Sequence, residues 1–155
     1  AMAALIIFSL LSVPVYAAKQ MPPFTLENPV NNGEISSDSF SGKSLLVVFF
    51  ATWCVPCVQE IPTLKELQKK YEKKNFSVVG LSVDVKGKKV VKDLVAGERI
   101  NYPVLMADEA VISGFGGVYG IPTAFLVNSR GVVVKKYTGY TPHAVFVRDI
   151  EQITN

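Results

Sequence analysis

Two cysteines and one histidine are the only soft metal ligands in this 155-residue chain. A structural zinc site takes four such ligands, so Cys54, Cys57 and His143 fall one short, and neither a metal nor a cofactor is expected. His143 also stands far from the cysteines, in Thr141-Pro142-His143-Ala144, where it reads as a surface residue opening a helix. A disulfide scaffold is excluded too, because cysteines three positions apart close too small a loop to stabilise a fold. Charge is scarce: 19% of residues are charged against 49% hydrophobic, which excludes a disordered acidic or basic tail. The net charge is only +3. The lysines between positions 65 and 92 are interrupted by Glu66 and Glu72 and followed by Asp93, with no aromatic–glycine pattern beside them. They read as a solvated helix face, and no nucleic-acid partner is expected. No internal repeat or linker divides the chain, whose length suits one domain with a proper core.

Charge is missing altogether from residues 1–18, which include Leu5-Ile6-Ile7-Phe8-Ser9-Leu10-Leu11. Two readings stay open. Val15-Tyr16-Ala17 is similar to the small-x-Ala pattern before a signal-peptidase cut. Alternatively the run is a retained N-terminal anchor, since it approaches the roughly 20 apolar residues of a membrane span. Pro14 and Ala17 favour removal. Either reading places the domain, residues 19–155, in the periplasm or on the outer face of the cytoplasmic membrane.

What remains alternates strand and helix signals. Phe24-Thr25-Leu26-Glu27 and Gly33-Glu34-Ile35-Ser36 predict two short strands around an Asn-Asn-Gly turn. Residues 45–51 are unbroken apolar, as a strand covered on both faces must be. Val58, Ile61, Leu64, Leu67 and Tyr71 then recur at helical spacing over residues 55–74, with a kink expected at Pro62. Residues 76–84 predict a second strand, parallel to the first because a crossover helix joins them. Helix is predicted over residues 86–98, with Val90, Val91, Leu94 and Val95 as its apolar stripe. Residues 103–106 read as extended and 109–115 as a short helix. The last third predicts a hairpin turning at Ser129-Arg130-Gly131 and a closing helix over 142–153. The order implies an α/β fold with a mixed sheet between helical layers.

Cys54 therefore stands where a strand connection meets a helix start. There the helix dipole and unbonded N–H groups stabilise a thiolate. Cys57 lies one turn on, and Pro56 is tolerated in the first turn, whose N–H groups lack partners anyway. The expected chemistry is thiol–disulfide exchange. Cys54, the exposed member, attacks a substrate disulfide; Cys57 then resolves the mixed disulfide. Gly120-Ile121-Pro122-Thr123 precedes the hairpin. Its X-Pro bond is either cis or an ordinary trans bond opening a strand. Asp84 reads as a strand-end residue and no more.

Phe49-Phe50-Ala51-Thr52-Trp53-Cys54-Val55-Pro56-Cys57, taken with Gly120-Ile121-Pro122-Thr123-Ala124-Phe125-Leu126, resembles the thioredoxin superfamily. Cys57-Val58-Gln59-Glu60-Ile61-Pro62-Thr63-Leu64 resembles its extracytoplasmic TlpA/ResA branch in particular. The resemblance covers residues 21–153 and implies a thioredoxin fold with an N-terminal β-hairpin extension. It implies a cis bond before Pro122, lying beside the cysteines, with the neighbouring backbone pairing to an incoming substrate chain. Gly139 matches the glycine that keeps the substrate groove open. Trp53, with Pro56 and Ile121, would form an apolar docking patch; the alternative for Trp53 is a core aromatic. Where cytoplasmic thioredoxins bury an Asp, six residues before the first cysteine, this chain has Val48. Glu60 is the resemblance's substitute, a proton relay for the thiols. The alternative is that Glu60 only favours the first helical turns. A peroxidase is excluded because the proline of Pro-x-x-x-Thr-x-x-Cys is missing.

The direction of electron flow has three readings. The first is an extracytoplasmic reductant of particular protein disulfides, with apocytochrome c cysteines as the family's substrate and a membrane donor of the DsbD/CcdA type. Val55-Pro56 carries no charge or histidine to over-stabilise the Cys54 thiolate, which favours this reading. The second is a disulfide oxidase or isomerase; the lack of a dimerisation segment points to a monomer and weighs against an isomerase. The third is a non-catalytic chaperone or docking module, against which the intact cysteine pair argues.

Overall fold

The computed structural model describes residues 19–154, so the expected leader at 1–18 lies outside the described residues. A hairpin comes first, pairing Thr25–Glu27 (β1) with Glu34–Ser36 (β2). Its turn takes the left-handed backbone at Asn32, with φ of 59°, rather than at Gly33. A polar side chain that bonds locally tolerates this conformation better than most.

The central sheet runs Ser44–Phe50 (β3), Phe76–Ser82 (β4), Val104–Met106 (β5), Thr123–Val127 (β6) and Val133–Thr138 (β7). In space the order is β5-β4-β3-β6-β7, with β3, β4 and β5 parallel and β6 and β7 antiparallel to their neighbours. Every residue of β3 and β4 is buried, as two-faced apolar runs require. Four helices join them: Val55–Tyr71 (α1), Lys88–Gly97 (α2), Glu109–Gly114 (α3) and His143–Thr154 (α4).

Alternation along β3 builds two cores. Leu46 and Val48 face Leu64, Leu67 and Tyr71 of α1, Val91 of α2, and Phe146 and Ile150 of α4. Leu45, Val47 and Phe49 face the other way, against Leu26, Phe40, Val111 and Phe115. There Phe49 meets Phe115 and Phe125 edge-on, at 5.4 and 6.0 Å between ring centroids. No helix among the described residues is long and apolar enough to cross a membrane.

Helix α1 carries Cys57, with Cys54 as its N-cap, and it ends earlier than expected. It runs through Pro62 as one unbroken helix, with Pro62 on the exposed side, where water can reach the carbonyl that proline leaves unbonded. It ends at Tyr71, and a 3-10 turn over Glu72–Lys74 leads to Asn75, whose left-handed φ of 52° stops the helix. Buried Gln68 was invisible in the apolar pattern. Strand β5 reaches only Gly80, Leu81 and Ser82 of β4, leaving the upstream edge without a strand partner. Gln68 Oε1 covers it by accepting from Val78 N at 2.8 Å.

Replacing Gln68 with Leu strands that buried N–H, at a cost of about 1–3 kcal/mol. Urea unfolding should show the loss as a lower midpoint at unchanged slope; an unchanged midpoint would remove this role.

Candidate active site

Helix α1 begins where the sheet stops. Four residues past the end of β3, Cys54 is the N-cap of α1, with extended backbone (φ −87°, ψ 104°) and no side chain capping the helix. Val58 N donates to the Cys54 carbonyl at 3.1 Å, closing the first turn. Pro56 in that turn removes one free N–H, so fewer amides remain to face the Cys54 sulfur. Cys57 sits one turn on, and the two sulfurs are joined as a disulfide with the Cα atoms 5.3 Å apart.

The partner segment comes from the far side of β3. Antiparallel pairing of Phe49 with Thr123 brings the start of β6 alongside the end of β3. Cys54 Sγ consequently lies 3.7 Å from the Ile121 carbonyl oxygen. The Ile121-Pro122 bond is cis, and Pro122 itself is buried. Gly139, with φ of 78°, donates its N–H to the Pro122 carbonyl at 2.8 Å. A Cβ built on Gly139 would touch nothing, so its left-handed backbone, not crowding, is what calls for glycine here.

Exposure separates the site residues. Cys54 and Cys57 are only 5% and 3% exposed, which corrects the expectation of an open Cys54: the disulfide is tucked against Ile121. Trp53 is 65% exposed and so is no core aromatic. A cavity of about 270 Å³ beside it is lined by Trp53, Val83, Ile112, Val118, Tyr119 and Ile121. Val55 and Pro56 are exposed on the helix start. His143 opens α4 with Nε2 3.5 Å from Glu66 Oε1, and it contacts neither cysteine in any hydrogen bond or ion pair among the described residues.

Glu60 is one turn beyond Cys57 on α1 and 1% exposed. Its Oε1 accepts from Thr141 N at 2.8 Å, tying α1 to the loop that follows Gly139. Burial pushes its carboxyl up to about 7, while the Thr141 N–H pulls it partly back.

Asp84 is more than a strand end. It is buried, and Oδ2 accepts from Thr52 N at 2.9 Å while Oδ1 accepts from the Thr52 hydroxyl at 2.6 Å. The Ser82 hydroxyl adds a third donor to Oδ2 at 2.8 Å. The strand pattern hid this residue, since a charged side chain after an apolar strand reads as a solvent-facing end. Its place at the carboxyl edge of a parallel pair, where sites in α/β sheets gather, was the available signal.

Comparison with known proteins agrees with this geometry. A family model described as Redoxin matches residues 16–153. The chain is 31% identical over 121 residues to the thiol-disulfide oxidoreductase ResA of Bacillus cereus, covering 78% of this chain and 69% of that protein. It is 32% identical over 134 residues to the thioredoxin-like protein YneN of Bacillus subtilis, covering 85% and 77%. A thioredoxin-family thiol:disulfide interchange protein of Chlorobium tepidum shares the fold, with a TM-score of 0.81 and 34% identity over 89% of this chain and 97% of that one. The chain therefore belongs to the Redoxin family, as a ResA-like thiol-disulfide oxidoreductase of the thioredoxin superfamily.

Proposed function

We propose that this oxidoreductase works outside the cytoplasm as a reductant of particular protein disulfides, of the kind required in cytochrome c maturation. The observation that carries the direction is the spacer between the cysteines. Val55 and Pro56 are apolar and exposed, with no cation or histidine to stabilise a Cys54 thiolate beyond what the helix start provides. Strong oxidants depend on such stabilisation of the reduced form.

Protein clients are supported by where apolar surface lies. Of the seven large hydrophobic side chains exposed among the described residues, five flank the site: Trp53, Val55, Val85, Tyr119 and Tyr140. Each is within two positions of Cys54, Asp84, Ile121 or Gly139. Apocytochrome c is the client class we propose, with a membrane dithiol donor of the DsbD/CcdA type recharging the pair and residues 1–18 directing export or anchoring. The domain works as a monomer.

Electrons and protons balance as follows. The Cys54 thiolate bonds one sulfur of the client disulfide and expels the other as a thiolate. Cys57 gives its proton to the Glu60 carboxylate and bonds Cys54 Sγ, releasing the client's second thiolate. Two electrons have passed to the client, and the donor's dithiol restores the pair by the reverse exchange. Glu60 suits the relay because it is buried, three residues from Cys57 on α1, and titrates near the working pH.

Titration of the isolated protein against thiol buffers tests the direction: a potential near about −270 mV is expected, and one near about −120 mV would sink the proposal. Cys57→Ser should arrest exchange at the mixed disulfide, so a Cys54-linked client accumulates in mass spectra; release of the client at the parental rate would overturn the assigned order. Glu60 predicts a pH effect on the oxidised protein. Its folded value lies above the ordinary carboxyl range, so the fold favours the protonated form, and stability falls as pH rises through about 7. Glu60→Gln should remove a loss on the order of 3 kcal/mol between about pH 4 and 8. Parallel stability curves for parent and variant would rule this out.

A further inference from the structure

Cys54 is reached through a tight turn, Ala51-Thr52-Trp53-Cys54, closed by Cys54 N donating to the Ala51 carbonyl at 3.2 Å. Little else holds that turn. Trp53 projects outward at 65% exposure, and Thr52 is only half-buried, so apolar burial does not anchor its middle. Both donors of Thr52 instead end on one carboxylate, that of Asp84, 32 residues away in sequence. That carboxylate is itself held fast. Ser82 donates its hydroxyl to Oδ2 at 2.8 Å and accepts the Asp84 N–H at 3.1 Å. The chain leading into Asp84 is fixed in turn by Val83 N donating to the Phe50 carbonyl at 2.9 Å.

We infer that Asp84 is the positioning residue for the attacking sulfur, clamping the turn so that Cys54 is delivered to the helix start beside the Ile121 carbonyl. The two carboxylate oxygens receive three donors, a load that a single carbonyl oxygen does not match. Asparagine could keep the clamp only by turning its amide toward a hydroxyl and reversing that hydroxyl's donation. Alanine loses the clamp outright. Asp84 touches no reacting atom in this arrangement; it acts through Thr52. Misplacement of a reacting group by about 1 Å is enough to cost large factors in rate.

The inference rests on Cys54 being the attacking sulfur, and the test separates the two. The reduced full chain is mixed with oxidised glutathione across pH 5–9, and the rate plateau, where the attacking thiol is fully ionised, is compared among variants. With Cys57→Ser blocking resolution, a glutathione adduct should accumulate on Cys54; its absence overturns both the assigned attacker and the inference. Given the adduct, Asp84→Ala should lower the plateau about tenfold, with Asp84→Asn within about threefold of the parent. A residue that only supports the fold would lower the melting temperature and leave the plateau alone, so an Asp84→Ala plateau equal to the parent's overturns the inference. Thr52→Val and Thr52→Ser decide the matter should Asp84→Ala not fold. Valine should reduce the plateau several-fold and serine restore it, whereas equal plateaus overturn the inference.

Discussion

The antiparallel register of β3 against β6 is the constraint on which the site depends. Leu45 pairs with Val127 and Phe49 with Thr123, so the end of one strand lies beside the start of the other. Cys54 and Ile121, 67 residues apart, become neighbours only through that pairing. A slip of one residue would turn the whole of β6 over, sending Ala124 and Leu126 into the core that now holds Phe125. Because both faces of β3 and β6 are buried, such a slip is costly on two sides at once, and the sulfur's surroundings inherit the precision of the sheet.

Two buried carboxyls border the cysteines, and their surroundings give them different work. Glu60 has one backbone donor and is almost wholly buried, so burial dominates and moves its titration into the neutral range. Asp84 is met by three donors from two strand ends and serves as an acceptor around which a turn is organised. The same carboxyl chemistry thus supplies a proton site on the α1 side of the disulfide and a mechanical fixture on the β4 side.

Much of this was legible in advance because it is written in periodicity. The two-faced apolar runs of β3 and β4, the helical stripe of α1 and the glycine turn of the last hairpin each carry their geometry locally. The cysteine pair announced its chemistry by standing at a strand-to-helix junction with no other thiol in the chain. Polar residues that matter through distant partners were harder to see. Gln68 satisfies an amide of a strand edge exposed only because β5 is short, and the length of β5 has no signature near residue 68. Asp84 binds across 32 residues, and the depth of Cys54 depends on a loop that arrives 67 residues later. Glu60 was noticed by resemblance to a motif; its Thr141 partner, on another element, was not.

At 5% and 3% exposure, the cysteine pair presents little sulfur to the surrounding fluid. Exchange at a disulfide requires an approach along the S–S axis, and here the Ile121 carbonyl oxygen lies 3.7 Å from Cys54 Sγ while Trp53, next in the chain, stands exposed. A small thiol from bulk solvent meets little of that sulfur, whereas a polypeptide client has exposed Trp53 and Val55 on either side of Cys54 to settle on. On the proposed function, selectivity between clients and ambient thiols would then be exerted through access more than through affinity. For the proposed reductant, working outside the cytoplasm, the same shielding would lengthen the time for which stored electrons remain available to the right recipient.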